Sequence, residues 1–181
     1  VVTTDGSKAA IKNIRRNAMD NKLAGRVDVQ LWDWRDPELP GWATRVDVLL
    51  GSDVIYGAPS PNAAYFSLSR CIAELLSPHS PCGQRRAAGR APPCALLCCQ
   101  IRDPAYEGSS IEAFVHDCQR RGLSVEFLDI DERALVETDS NLDAPMRLFR
   151  VTCPAGDGRR VDFSPLLSGT GPPREYEVDS E

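Results

Sequence analysis

A chain of 181 residues, 42% of them apolar, is long enough to bury a core as a single soluble domain. Its 21 Lys and Arg against 26 Asp and Glu leave a formal net charge of -5, which argues against a broad electrostatic grip on nucleic acid phosphates. No segment is apolar for long enough to cross a bilayer as a helix, and two histidines, His79 and His116, give no support to a zinc site or a His-based triad.

The first unit is a strand, Val1 to Thr4, leading into a helix that begins near Gly6-Ser7. Ala10, Ile14 and Ala18 fall at helical spacing, and Asn21-Lys22 lie close to its end. The next strand, Val27 to Leu31, alternates Val27, Val29 and Leu31 with Asp28 and Gln30, the pattern of a sheet edge with one wet face. Val46 to Leu50 and Cys94 to Cys99 are instead nearly continuous apolar runs, which suit parallel strands at the sheet centre covered on both faces. Between them Ala64, Leu68, Ile72 and Leu75/Leu76 mark a crossover helix within Pro61 to Leu76, and a right-handed β-α-β unit is expected.

Ile111 to Arg121 reads as a further helix closed by Gly122. Leu123 to Phe127 and Met146 to Val151 follow as strands without a crossover helix between them, so they are expected to pair antiparallel. Residues 77–93 form an irregular Pro-, Ser-, Gly- and Arg-rich insertion in a domain spanning 1–152, and 153–181 read as a polar, disordered tail. The seven cysteines are odd in number and lack Cys-x-x-Cys spacing, so they read as reduced, mostly buried thiols of an intracellular protein. The stripe Asn13, Asn17, Asn21 reads as a solvated helix face.

The sharpest functional signal is Gly51-Ser52-Asp53-Val54-Ile55-Tyr56. It places an acid and an aromatic hydroxyl three residues apart at the carboxyl end of a buried strand, where open α/β sheets hold their ligands. The competing structural reading has Asp53 capping a turn while Val54 and Ile55 fill core.

Three signatures together, Thr4-Asp5-Gly6, Leu31-Trp32-Asp33-Trp34 and Asp53-Val54-Ile55-Tyr56, resemble those of the methyltransferase-like protein-lysine methyltransferases over about Val1 to Val151. Arg102-Asp103-Pro104 is similar to the branch that methylates elongation factor 2. The resemblance implies a Rossmann-like class I, seven-stranded α/β sheet with a C-terminal antiparallel strand pair, and S-adenosyl-L-methionine as cofactor. It implies that Asp5 binds the ribose hydroxyls, Trp34 stacks on adenine with Asp33 accepting from the exocyclic amine, Ser52 lines the pocket through its backbone, and Asp53 and Tyr56 face the methyl group and the incoming nucleophile. Asp5 also suits a helix N-cap, and Trp32 or Trp34 also suits a cover over the sheet edge.

The implied partner is a cytosolic protein substrate such as a translation factor or chaperone, approached by a monomer in the cytoplasm, with the nucleus open as a second location. The family's first strand and its Glu/Asp-x-Gly-x-Gly loop appear nowhere in the chain. The segment is therefore expected to be N-terminally truncated, to leave the second and fourth family strands without the neighbour between them, and to be inactive alone. A non-catalytic remnant or interaction module is the alternative. An NAD-dependent reductase would need a Tyr-x-x-x-Lys or its equivalent, and none of Lys8, Lys12 and Lys22 has a Tyr at that spacing.

Overall fold

The computed structural model describes residues 1–57, 60, 63–78, 92–101, 109–128 and 146–154, with the side chains of 44 and 45 excepted. The expectations that fall on residues 79–91 of the insertion, including His79, on Arg102-Asp103-Pro104, and on the tail beyond residue 154 lie outside the described residues.

The chain is mixed α/β. Strand β1 (Val2–Asp5) leads through helix α1 (Lys8–Asp20) to β2 (Asp28–Leu31), and β1 and β2 pair in parallel with Val2 opposite Asp28 and Asp5 opposite Leu31. Ser7 starts α1 as its N-cap, its hydroxyl accepting the Ala10 N–H at 3.4 Å. Ile11 and Ala18 bury one stripe of the helix, while Asn13, Asn17 and Asn21 are exposed, as a solvated face requires.

A short 3-10 helix, Gly41–Arg45, precedes β3 (Val48–Ser52). Helix α2 (Ala64–Leu76) then returns the chain to β4 (Cys94–Gln100), parallel to β3 with Val48 opposite Cys94. Helix α3 (Ser109–Arg120) ends at Gly122, whose φ of 78° closes the helix in the left-handed region. Strands β5 (Ser124–Leu128) and β6 (Met146–Thr152) pair antiparallel, and β6 inserts between β5 and β4.

Two sheets result, β1-β2 and β3-β4-β6-β5. The core lies under one face of the larger sheet. There Ala95, Leu97 and Cys99 of β4 and Phe149 and Val151 of β6 meet Leu68, Ile72 and Leu76 of α2 and Ile111, Phe114 and Cys118 of α3. Phe114 and Phe149 lie with ring centroids 6.1 Å apart, and burying side chains of this size stabilises the fold by about 1.5–3 kcal/mol each.

One positional expectation changes. The near-continuous apolar run of β3 suited a sheet centre, but in the structure β3 forms the edge of the larger sheet, with Val48 52% and Leu50 76% exposed. Hydrophobicity reports how much cover a strand needs, not which neighbours are present to supply it. Among the described residues no strand pairs with the outer edge of β3.

Candidate functional site

The carboxyl ends of β1 and β2 lie side by side. The backbone carbonyl of Asp5 accepts the Trp32 N–H at 3.1 Å, and a methyl group placed on Gly6 would sit 3.5 Å from Cγ of Asp33. The Asp5 carboxylate is half-buried and its Oδ1 accepts the Ser7 N–H at 2.7 Å. Asp5 is thus the brace of the turn into α1, while Ser7 serves as the N-cap proper. Its Oδ2 accepts no hydrogen bond from the described residues, which leaves one oxygen for a ligand hydroxyl.

Asp33 is held by Arg35. The Arg35 backbone N–H donates to Oδ1 at 2.9 Å, and its guanidinium donates to both oxygens, with Nη2 2.6 Å from Oδ2. Hydrogen bonds from the Arg35 side chain and backbone hold the Asp33 carboxyl below its ordinary 3.8, and Asp33 in turn pushes the Arg35 guanidinium up. Tyr56, on the turn after β3, lies within electrostatic reach of the same guanidinium. The turns after β2 and β3 therefore face a common region.

The two tryptophans divide. Trp32 is buried, with its ring set edge-on to Trp42 at 5.4 Å, and its indole N–H meets no acceptor among the described residues. Trp32 is packing. Trp34 is half-buried against the main core, and its carbonyl accepts from Arg70 Nη2 at 3.0 Å and from the Cys71 thiol at 3.2 Å.

The turn after β3 starts with a strained residue. Asp53 has φ of 52°, a left-handed conformation that Asp tolerates better than most residues. Two bonds to β4 hold it there: the Asp53 N–H donates to the Cys98 carbonyl at 2.8 Å, and its Oδ1 accepts the Gln100 N–H at 2.9 Å. Ser52, opposite Cys98 in the ladder, is exposed, as are Asp53 and Tyr56, whereas Ile55 is buried. Both readings of the Asp-Val-Ile-Tyr run thus describe part of it, because Ile55 fills core while Asp53 and Tyr56 point to solvent. The turn ends at Gly57, with φ of 85°, whose carbonyl accepts the Ser110 hydroxyl at the start of α3.

The described cysteines are free. Burial pushes the Cys71 and Cys99 thiols up to about 11 and that of Cys118 higher still, so these are protonated, unreactive thiols at neutral pH. No cluster of three His, Cys, Asp or Glu suited to a metal ion occurs among the described residues. Nor is any helix there long and apolar enough to cross a membrane.

Three residues that shape the site had no signal of their own in the sequence: Arg35, Arg70 and Ser110. Arg70 and Glu74 show the i,i+4 spacing of a helical ion pair, but nothing in that spacing discloses the loop that Arg70 grips.

Comparison with protein-family models gives no match, and comparison with curated proteins gives none. Among solved structures, one from Bordetella parapertussis described as a possible exported protein is similar with a TM-score of 0.51 and 13% identity, over 85% of this chain and 53% of that one. A likeness at this identity concerns the fold alone. The chain spans about half the length of the structure it matches.

Proposed function

We propose that this chain belongs to an S-adenosylmethionine-dependent methyltransferase of the Rossmann-like class I type, acting on a lysine of a cytosolic protein such as a translation factor or chaperone. The observation that carries the reading is that Asp5, Asp33, Trp34, Asp53 and Tyr56 all sit at or just after the carboxyl ends of strands paired in parallel, the side from which open α/β sheets bind ligands. The division between the sheets supports it, since it separates β1 from β3, the strands that in the resembled family flank the first strand.

The donor set suits a nucleoside. Asp5 Oδ2 would accept a ribose hydroxyl, Trp34 would offer an indole for adenine, Asp33 would offer acceptors for an amine if Arg35 shares them, and the Ser52 backbone would line the strand end. When bound, the cofactor supplies an electrophilic methyl group on a sulfonium. The chain's own task is to present the lysine. A free lysine ammonium titrates near ~10.4 and attacks only after losing its proton. The exposed Asp53 carboxylate captures and aligns the ammonium, since a neighbouring negative charge favours the charged form and does not lower its pKa. Tyr56 packs beside the lysine stem and orients it, and the proton leaves through water.

A non-catalytic binding module is the second reading, favoured by the Arg35 grip on both Asp33 oxygens. Calorimetric titration of S-adenosylhomocysteine into this chain and into the product of the natural open reading frame separates the two. Binding that weakens at least tenfold in Asp5→Ala supports the methyltransferase. Absence of binding by both proteins, each folded, overturns it.

A further inference from the structure

We infer that Arg70 is a positioning residue for the adenine side of the site: a clamp on helix α2 that fixes the loop after β2, and with it Trp34 and Asp33. The role in binding rests on the cofactor reading above; the clamp itself rests on geometry. Among the described residues the two sheets share no backbone ladder, so side chains locate the loop that follows β2. Arg70 does this with one group. Its Nη2 donates to the carbonyls of Trp34, at 3.0 Å, and Asp36, and its Nη1 donates to the carbonyl of Pro37 at 3.1 Å. Three carbonyls within four residues of one loop thus converge on one guanidinium.

The charge is balanced on the same helix. Glu74 Oε1 lies 3.2 Å from Nη1, and the two side chains are only 14% and 24% exposed. The planar, multi-donor fork of arginine matches this spread of acceptors, and the point charge of lysine does not. The adjacent Cys71 thiol, held protonated by burial, adds a second donor to the Trp34 carbonyl. Successive residues of α2 therefore grip the backbone of the proposed stacking residue while its ring packs on the core. Within the loop, the Arg35 and Asp36 N–H groups bond back to Asp33, so exchange at these two amides reports whether the loop keeps its shape.

The test uses Arg70→Lys in the product of the natural open reading frame, with hydrogen exchange at the Arg35 and Asp36 amides and titrations with S-adenosylhomocysteine and with adenosine. The expected result is faster exchange at those amides, unchanged protection of α2, and a loss of affinity of about tenfold that is equal for both ligands. Wild-type affinity in Arg70→Lys with α2 intact overturns the positioning role. If neither ligand binds the folded wild type, the cofactor reading fails and the binding role of Arg70 falls with it, while unchanged loop exchange in Arg70→Lys then refutes the clamp as well. Should Arg70→Lys lose α2 protection, Arg70→Ala titrated with ethylguanidinium replaces it. Recovery of affinity by the added ion supports the role, and no recovery with α2 intact overturns it.

Discussion

The Asp53 carboxylate accepts the backbone N–H of Gln100, so the acid that follows β3 is also a rung joining its end to β4. This bond ties a side chain proposed to meet substrate to the centre of the larger sheet. It also explains how a non-glycine residue is retained at φ of 52°.

Substitutions at Asp53 should therefore separate shape from charge. Asp53→Asn keeps an acceptor for Gln100 and a tolerance for the left-handed region, and it should leave stability within about 0.5 kcal/mol. Asp53→Ala loses the acceptor and adds strain, and it should cost about 1–3 kcal/mol, with Asp53→Gly falling between because glycine removes the strain alone. Urea denaturation of the three variants checks the order. If Asp53 captures the lysine ammonium, Asp53→Asn should lose methylation despite its stability.

A second network holds the helices together. Asp117 of α3, 4% exposed, takes a hydrogen bond of 2.7 Å from Arg121 Nε and one of 2.5 Å from the Ser69 hydroxyl of α2. Removing one partner of a buried charge pair is costly because the other charge stays unsolvated. Arg121→Met should destabilise the chain by about 3–5 kcal/mol, and adding Asp117→Leu to it should recover more than half of that loss. Denaturation midpoints of the single and double variants test the claim, and a double variant no better than the single would reject it.

The buried thiols give an alkaline limit. Cys71 holds its proton to about 11 when folded and to its ordinary 9.0 when unfolded. Above pH 9 the unfolded chain has fewer protons bound than the native one, so stability falls as pH rises from 9 toward 11. The contribution of Cys71 is present in full below pH 9 and shrinks by roughly 2–3 kcal/mol across that window. Cys71→Ala should flatten this part of the stability profile, measured by thermal unfolding between pH 8 and 11.

The outer edge of β3 bears on handling of the protein. Leu50 and Val48 are apolar, largely exposed, and lie on an edge strand with no charged residue between Val48 and Ser52, the combination that invites edge-to-edge association. Leu50→Lys should raise the monomer fraction in light scattering at micromolar concentration without lowering the melting temperature by more than a few degrees.

Much of the layout was legible because strands and helices here differ in period. The spacing of Leu68, Ile72 and Leu76 located α2 with all three facing the core, and the lack of a helical sequence pattern between Phe127 and Met146 implied the antiparallel pair in which Phe127 and Phe149 now lie directly opposite one another. Leu31 was harder. Its alternation with Gln30 implied an inner face, yet it is 47% exposed, and among the described elements α1 is the helix packed on the small sheet. The candidate site was legible as residue types at strand ends and not as bonds. Asp33 and Arg35, two positions apart, could have pointed anywhere, and the grip of Arg70 on Trp34 spans 36 residues that no local pattern connects.

The separation of the two sheets also sets how the molecule comes apart. Backbone ladders carry cooperativity between strands, and none crosses from β1-β2 to the rest of the described chain. Residues 1–31 should therefore behave as their own foldon, joined to the rest of the described residues by side chains and not by a ladder, and should open at lower free energy than the strands beside the fully buried Phe149. A thermal or mechanical load applied at the N-terminus would peel this unit first and leave α2, α3 and the four-stranded sheet standing as an intermediate.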